Sequence, residues 1–174
     1  MLKKIFFGVL LMPFFYGCAK KEKNTTVPLT VVKADGIAIN VYNYKGFAPL
    51  LEQDDDVLHV INFWATWCKP CIKELPYFEL IGKRYASKKV KVTLVSLDLP
   101  TQIGEKLIPF IKKQHLENEV VLLDDVNANY WISQVDKEWS GAIPATLFYK
   151  GNKRRFHEKS FTYNELERAV KAML

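Results

Sequence analysis

Apolar residues fall along this chain in two periods and one uninterrupted block, and each pattern predicts a different element. Residues 57–64, VLHVINFW, are rich in β-branched and aromatic side chains and predict a buried strand. Residues 90–98, VKVTLVSLD, predict a second strand, and residues 120–123 a short third. From Pro70 onward Ile72, Leu75, Phe78, Ile81 and Tyr85 recur at helical spacing and mark an amphipathic helix. Ile103, Leu107 and Ile111 share one face of a helix expected over residues 102–116, and residues 127–135 predict a shorter one. Residues 29–41 alternate around Asp35-Gly36, a pair suited to the positive φ of a hairpin turn. A second hairpin is expected from residues 145–150 and 153–161 across Gly151-Asn152. Thr162 and Glu165 have capping-box spacing, opening a last helix that buries Leu166, Val170 and Met173. Strand–helix–strand units followed by a hairpin and a helix predict one α/β domain over residues 29–174. Its mixed central sheet should carry helices on both faces and an N-terminal β-hairpin.

The uninterrupted block is residues 5–17, IFFGVLLMPFFYG, preceded by Lys3 and Lys4. A helix needs about 20 apolar residues to span a hydrocarbon core, and this run is shorter and holds Pro13. It has no polar face, which argues against a buried core helix. Basic, apolar and small-residue regions in this order read as a secretory signal peptide over residues 1–17. Gly17-Cys18 resembles the end of a bacterial lipobox, although Phe15 and Tyr16 depart from the usual residues before the cysteine. Cleavage after Ala19, at a small-x-small site, is the other reading. The lipidated Cys18 is preferred, because an unpaired cysteine is otherwise hard to place in an oxidising compartment. Residues 18–28 then serve as lipid anchor and polar linker to the domain.

Composition changes the picture little once this segment is set aside. The chain has 174 residues, 49% apolar and 25% charged, which suits one domain with a full core and excludes a disordered or collagen-like chain. Three cysteines are too few for a disulfide-stapled scaffold. The net charge of +6 is carried by runs such as Lys88-Lys89 and Lys153-Arg154-Arg155, which alternate with acidic stretches such as Asp54-Asp55-Asp56. Without aromatic interleaving they read as solvated surface, with modest attraction to anionic membrane heads, and not as a nucleic-acid face.

Candidate chemistry concentrates in Trp64-Ala65-Thr66-Trp67-Cys68-Lys69-Pro70-Cys71, which joins a predicted strand to a predicted helix. Two cysteines at this spacing could supply half of a zinc site. No second C-x-x-C exists, however, and His59, His115 and His157 form no ligand pattern. A redox pair is the reading that remains. Cys68 falls at the helix N-terminus, where unpaired N–H groups and the helix dipole favour a thiolate. Cys71, one turn on and more buried, is expected to resolve the mixed disulfide. Pro70 suits the first turn, since it has no N–H to leave unpaired.

The run NFWATWCKPCIKELP resembles the active-site segment of the thioredoxin superfamily, and most closely its exported, membrane-tethered TlpA/ResA-like oxidoreductases. The resemblance covers roughly residues 29–174. It places Pro76 where that fold kinks its helix, and it implies a cis peptide before Pro144 in Gly141-Ala142-Ile143-Pro144-Ala145-Thr146. Cytosolic members carry a buried Asp where this chain has Asn62, which does not titrate; the group's alternative acid corresponds to Glu74. Spacing puts Glu74 on the helix face of Cys71, so it is expected to move protons for the dithiol, against the alternative of a solvated surface acid.

Trp67, Lys69, Pro70, Ile143 and Pro144 are expected to shape a groove for a substrate segment, which backbone atoms there would pair in strand fashion. Trp64 is assigned to the core, while Trp131 and Trp139 stay open between core and rim. The resemblance further implies reduction of extracytoplasmic protein disulfides by a monomer, with electrons from a transmembrane thiol donor. Its one redox group would be the Cys68–Cys71 disulfide, with no bound cofactor or metal; cytochrome c precursors are a candidate substrate. A peroxidase is not expected, because no Pro-x-x-x-Thr-x-x-Cys precedes Cys68, nor is copper delivery. The rival from another class is an envelope lipoprotein that binds partners in the groove without turnover.

Overall fold

The computed structural model describes residues 25–174, so the predicted signal segment, Cys18 and most of the linker lie outside the described residues. One seven-stranded sheet organises the rest, in the order β1-β2-β5-β4-β3-β6-β7. The strands are β1 (Thr30–Ala34), β2 (Ile37–Tyr42), β3 (Leu58–Trp64), β4 (Val90–Ser96), β5 (Glu119–Leu123), β6 (Ala145–Lys150) and β7 (Lys153–His157). Pairs β3–β4, β4–β5 and β2–β5 are parallel, whereas β1–β2, β3–β6 and β6–β7 are antiparallel. The mixed sheet and the N-terminal hairpin are therefore as expected. Asp35 and Gly36 supply the turn with φ of 52° and 79°.

Helices cover both faces. On one, α2 (Lys69–Tyr85), α3 (Ile108–Gln114) and α5 (Tyr163–Met173) bury Leu75, Phe78, Ile81, Ile111, Leu166 and Val170 against Val60, Leu94 and Phe148. On the other, α1 (Tyr44–Phe47) and α4 (Ala128–Val135) set Phe47, Trp131 and Val135 against Ile61, Phe63 and Leu147. Every residue of β3 is buried, His59 and Asn62 included, which explains why its sequence shows no alternation of apolar and polar positions. Trp131 and Trp139 both belong to the core. Among the described residues no helix is long and apolar enough to cross a membrane.

Four elements differ from expectation. The helix expected over residues 102–116 is broken into a 3-10 turn at Pro100–Gln102, a wide π turn at Ile103–Leu107 and α3. Pro109 has no N–H for the ladder, and the Ile108 N–H reaches back five residues to the Ile103 carbonyl. The strand expected to reach Phe161 stops at His157, because residues 158–161 turn their polar groups toward the site instead. Finally, α1 and the 3-10 turn Ala48–Leu51 were not foreseen; four-residue elements are too short to show a period.

Candidate active site

The chain leaves β3 at Trp64 and enters α2 at Lys69, and Cys68 is the cap residue between them. Its backbone is extended (φ −88°, ψ 95°), and its Sγ accepts the Cys71 N–H at 3.3 Å. That bond satisfies one otherwise orphaned donor of the first helical turn. Cys68 and Cys71 form a disulfide with Cα atoms 5.3 Å apart. Cys68 keeps 6% of its surface exposed and Cys71 none. Trp67 stands out from the surface at 65% exposure, and Lys69 and Pro70 are exposed beside it. The loop between strand and cap is tied down by Asp98, buried beyond the end of β4. Its carboxylate accepts the Thr66 N–H at 3.0 Å, the Thr66 hydroxyl at 2.6 Å and the Ser96 hydroxyl at 2.8 Å.

Opposite the disulfide lies the segment leading into β6. The Ile143–Pro144 peptide is cis, as the resemblance implies, and the Ile143 carbonyl oxygen sits 3.7 Å from Cys68 Sγ. Glu158 holds this segment from behind. Its carboxylate accepts the N–H groups of Ser140 (2.9 Å) and Ala142 (3.2 Å) and the Ser140 hydroxyl. The two Ser140 bonds are the main reason its pKa lies below the ordinary glutamate value. Trp139 adds an indole N–H donated to the Ala142 carbonyl at 2.8 Å. Gly141 takes φ 95°, a conformation other residues rarely adopt.

Glu74 is not a solvated acid. It is 1% exposed and lies on the buried face of α2. Oε2 accepts the Phe161 N–H at 2.6 Å and the Ser160 hydroxyl at 3.1 Å, and Oε1 accepts the Asn62 amide at 3.1 Å. Burial raises its pKa above 4.5, and the three donors only partly oppose the shift. The Asn62 amide also donates to the Thr146 hydroxyl, leaving its Oδ1 buried without a partner among the described residues. Turning that amide over would present Oδ1 to a protonated Glu74, so the pocket suits the neutral acid as well as the anion.

A prediction follows with a definite sign. With its pKa raised in the fold, neutral Glu74 stabilises the native state at low pH. That contribution is lost as pH rises from the ordinary glutamate value through the raised folded value. Glu74→Gln is expected to flatten this part of the stability profile, measured by urea unfolding from about pH 4 to about pH 8. An unchanged slope in the variant would assign the pH dependence to other groups.

Of the residues singled out in the sequence, Cys68, Cys71, Glu74, Trp67, Lys69, Pro70, Ile143 and Pro144 all lie around the disulfide. Trp64 is in the core, its indole N–H without a partner among the described residues. Asp98, Thr66, Glu158 and Ser160 escaped notice. Apart from Ser96, two residues before Asp98, their partners are 16 to 90 positions away in the chain, so spacing alone carries no sign of them.

Comparison with known proteins agrees with the fold. ResA, a thiol-disulfide oxidoreductase of Bacillus cereus (strain ATCC 10987), is 28% identical over 120 residues, 66% of this chain and 62% of that protein. The thioredoxin-like protein YneN of Bacillus subtilis is 51% identical over 116 residues, again covering 64% of this chain and 62% of that one. The chain thus spans somewhat less than two thirds of the length of these relatives. Among solved structures, a thiol:disulfide interchange protein DsbE candidate from Chlorobium tepidum superposes with a TM-score of 0.57 at 18% identity, over 87% of this chain and 96% of that one. StoA from Bacillus subtilis gives 0.51 at 22% identity, over 67% and 84%. These likenesses establish the thioredoxin-like fold. The model of the AhpC/TSA family matches residues 51–154, more than half of the sequence, and the chain belongs to that family.

Proposed function

We propose that this chain is an exported thiol–disulfide oxidoreductase that reduces disulfides of proteins in the cell envelope. The observation that carries the reading is the Cys68–Cys71 disulfide at the cap of α2, with the Ile143 carbonyl 3.7 Å from Sγ of the more exposed cysteine. In the reduced protein the Cys68 thiolate attacks one sulfur of a substrate disulfide. The S–S bond breaks, and the departing substrate sulfur leaves as a thiolate that takes up a proton. Cys71 then gives its proton to the Glu74 carboxylate and attacks Cys68 Sγ. The second substrate thiol is released, and two electrons have moved from this chain to the substrate. The substrate segment lies along Ile143 and Pro144, with Trp67, Lys69 and Pro70 at the rim.

The order of roles rests on position. The helix N-terminus and the Cys71 N–H stabilise negative charge on Cys68, while Glu74 lies three residues from Cys71 on the buried face of α2. Reductive direction, a transmembrane thiol donor and tethering through a lipidated Cys18 complete the proposal. They rest on the resemblance and on the pattern of residues 1–18, and cytochrome c precursors remain the candidate substrates. The experiment is turnover: the purified chain, kept reduced by a small dithiol, should accelerate reduction of a protein disulfide over the dithiol alone. No acceleration, with binding of the same protein intact, would leave the groove as a holding site and overturn the enzyme reading. Acylation of Cys18, read by mass spectrometry of the mature N-terminus, tests the anchor; a chain starting at Lys20 refutes it.

A further inference from the structure

Behind the redox site, α5 and the edge strand β7 enclose an open groove of about 870 Å³. Its floor is apolar: Phe148 from β6, Phe161, and Ala169 and Met173 from α5. The ring of His157 meets Phe148 and Phe161 edge-on, with centroids 5.8 and 5.5 Å away. Its rim is cationic. Lys153, Arg155 and Arg168 line it, and among the described residues none of the three has a carboxylate partner; the one hydrogen bond of Arg155 runs at 3.5 Å to the Arg154 carbonyl. The other charges are already engaged. Lys159 pairs with Glu165, the single acid in the lining, and Glu165 also caps α5 through Thr162. Arg154 reaches across the sheet to the carbonyls of Leu51 and Val135.

We propose that this groove binds an anionic amphiphile, with a phosphate or carboxylate head between Arg155, Arg168 and Lys153 and an apolar chain along Phe148, Phe161, Ala169 and Met173. Guanidinium groups suit such a head, because they bind it with paired hydrogen bonds. The hydrocarbon floor gains by being covered. The surroundings already carry positive potential: burial first, then Lys159 and Arg155, holds the His157 pKa below its ordinary value. An acidic peptide would satisfy the rim without using the floor, so the floor decides for an amphiphile. Phe161 joins this site to the redox centre, since its ring is in the floor and its N–H is held by Glu74.

The test is calorimetric titration of the purified full chain with monomeric dodecyl phosphate. Dodecyl maltoside and inorganic phosphate are run beside it. Dodecyl phosphate should bind at least about tenfold tighter than either, and the double variant Arg155→Gln/Arg168→Gln should lose about tenfold of that affinity. Lys113→Gln removes a charge from α3 and should change nothing. Equal binding of the uncharged detergent, equal binding of inorganic phosphate, or an unaffected double variant each overturns the proposal. Sedimentation with phosphatidylglycerol vesicles, compared with phosphatidylcholine vesicles, separates a bilayer lipid from a free amphiphile as the source. The site is independent of the cysteines, so binding should persist in Cys68→Ser.

Discussion

Cys68→Ser is expected to bring disulfide exchange down to the uncatalysed background, whereas Cys71→Ser should stop it one step later with a substrate held on Cys68. The asymmetry follows from the cap. Cys68 is the one residue of the pair with exposed surface, and the Cys71 N–H points at its Sγ. A helix N-terminus favours the thiolate form of a cysteine that caps it, and the thiolate is the attacking species. Cys71 has no such exposure and is placed to attack only Cys68 Sγ, once that sulfur carries the substrate. Non-reducing electrophoresis with mass spectrometry should therefore find mixed disulfides in Cys71→Ser and none in Cys68→Ser. Equal trapping by both variants would mean that either thiol can attack, against the roles assigned to them.

The largest effect on stability is expected from Phe78→Ala. Phe78 is fully buried on the face of α2 that packs against the sheet, between Leu75 and Ile81. Emptying such a site removes the transfer energy of the ring and leaves a cavity, for a loss of about 3–5 kcal/mol. A domain of this size has about 5–15 kcal/mol in all, so the variant should melt on the order of 10 °C lower. Phe78→Leu should lose less. Because α2 contains Cys71 and is capped by Cys68, the alanine variant should also lose activity on heating before the wild type does. A melting temperature unchanged in Phe78→Ala would mean that the helix is held chiefly by other contacts.

Local signals carried most of the fold. The β-branched run of β3, the helical spacing after Pro70 and the Asp35-Gly36 turn each predict an element that is present where expected. The redox pair was legible for the same reason: C-x-x-C at a strand-to-helix junction is a statement about neighbouring residues. What could not be read is non-local. Glu158 and Asp98 look like ordinary surface acids in the sequence, and only the closure of the sheet brings them to Ser140, Ala142 and Thr66. Glu74 stands between the two cases, since its spacing from Cys71 was visible but its burial was not. That burial depends on Phe161 and Ser160 arriving from beyond β7.

Residues 158–161 touch both walls of the disulfide, Glu158 on the Ser140–Ala142 turn and Ser160 with Phe161 on Glu74. With β7 ending at His157 and the α5 cap at Thr162, this stretch has no slack. An added residue would have to release one wall or the other. The adjoining turn at Gly151-Asn152 is exposed and bonded to neither. For anyone attaching a fluorophore or an epitope loop, the position that spares the disulfide is therefore that turn, although its Asn152 lines the cationic groove, while an insertion beside Lys159 would unfasten the active centre without touching a cysteine.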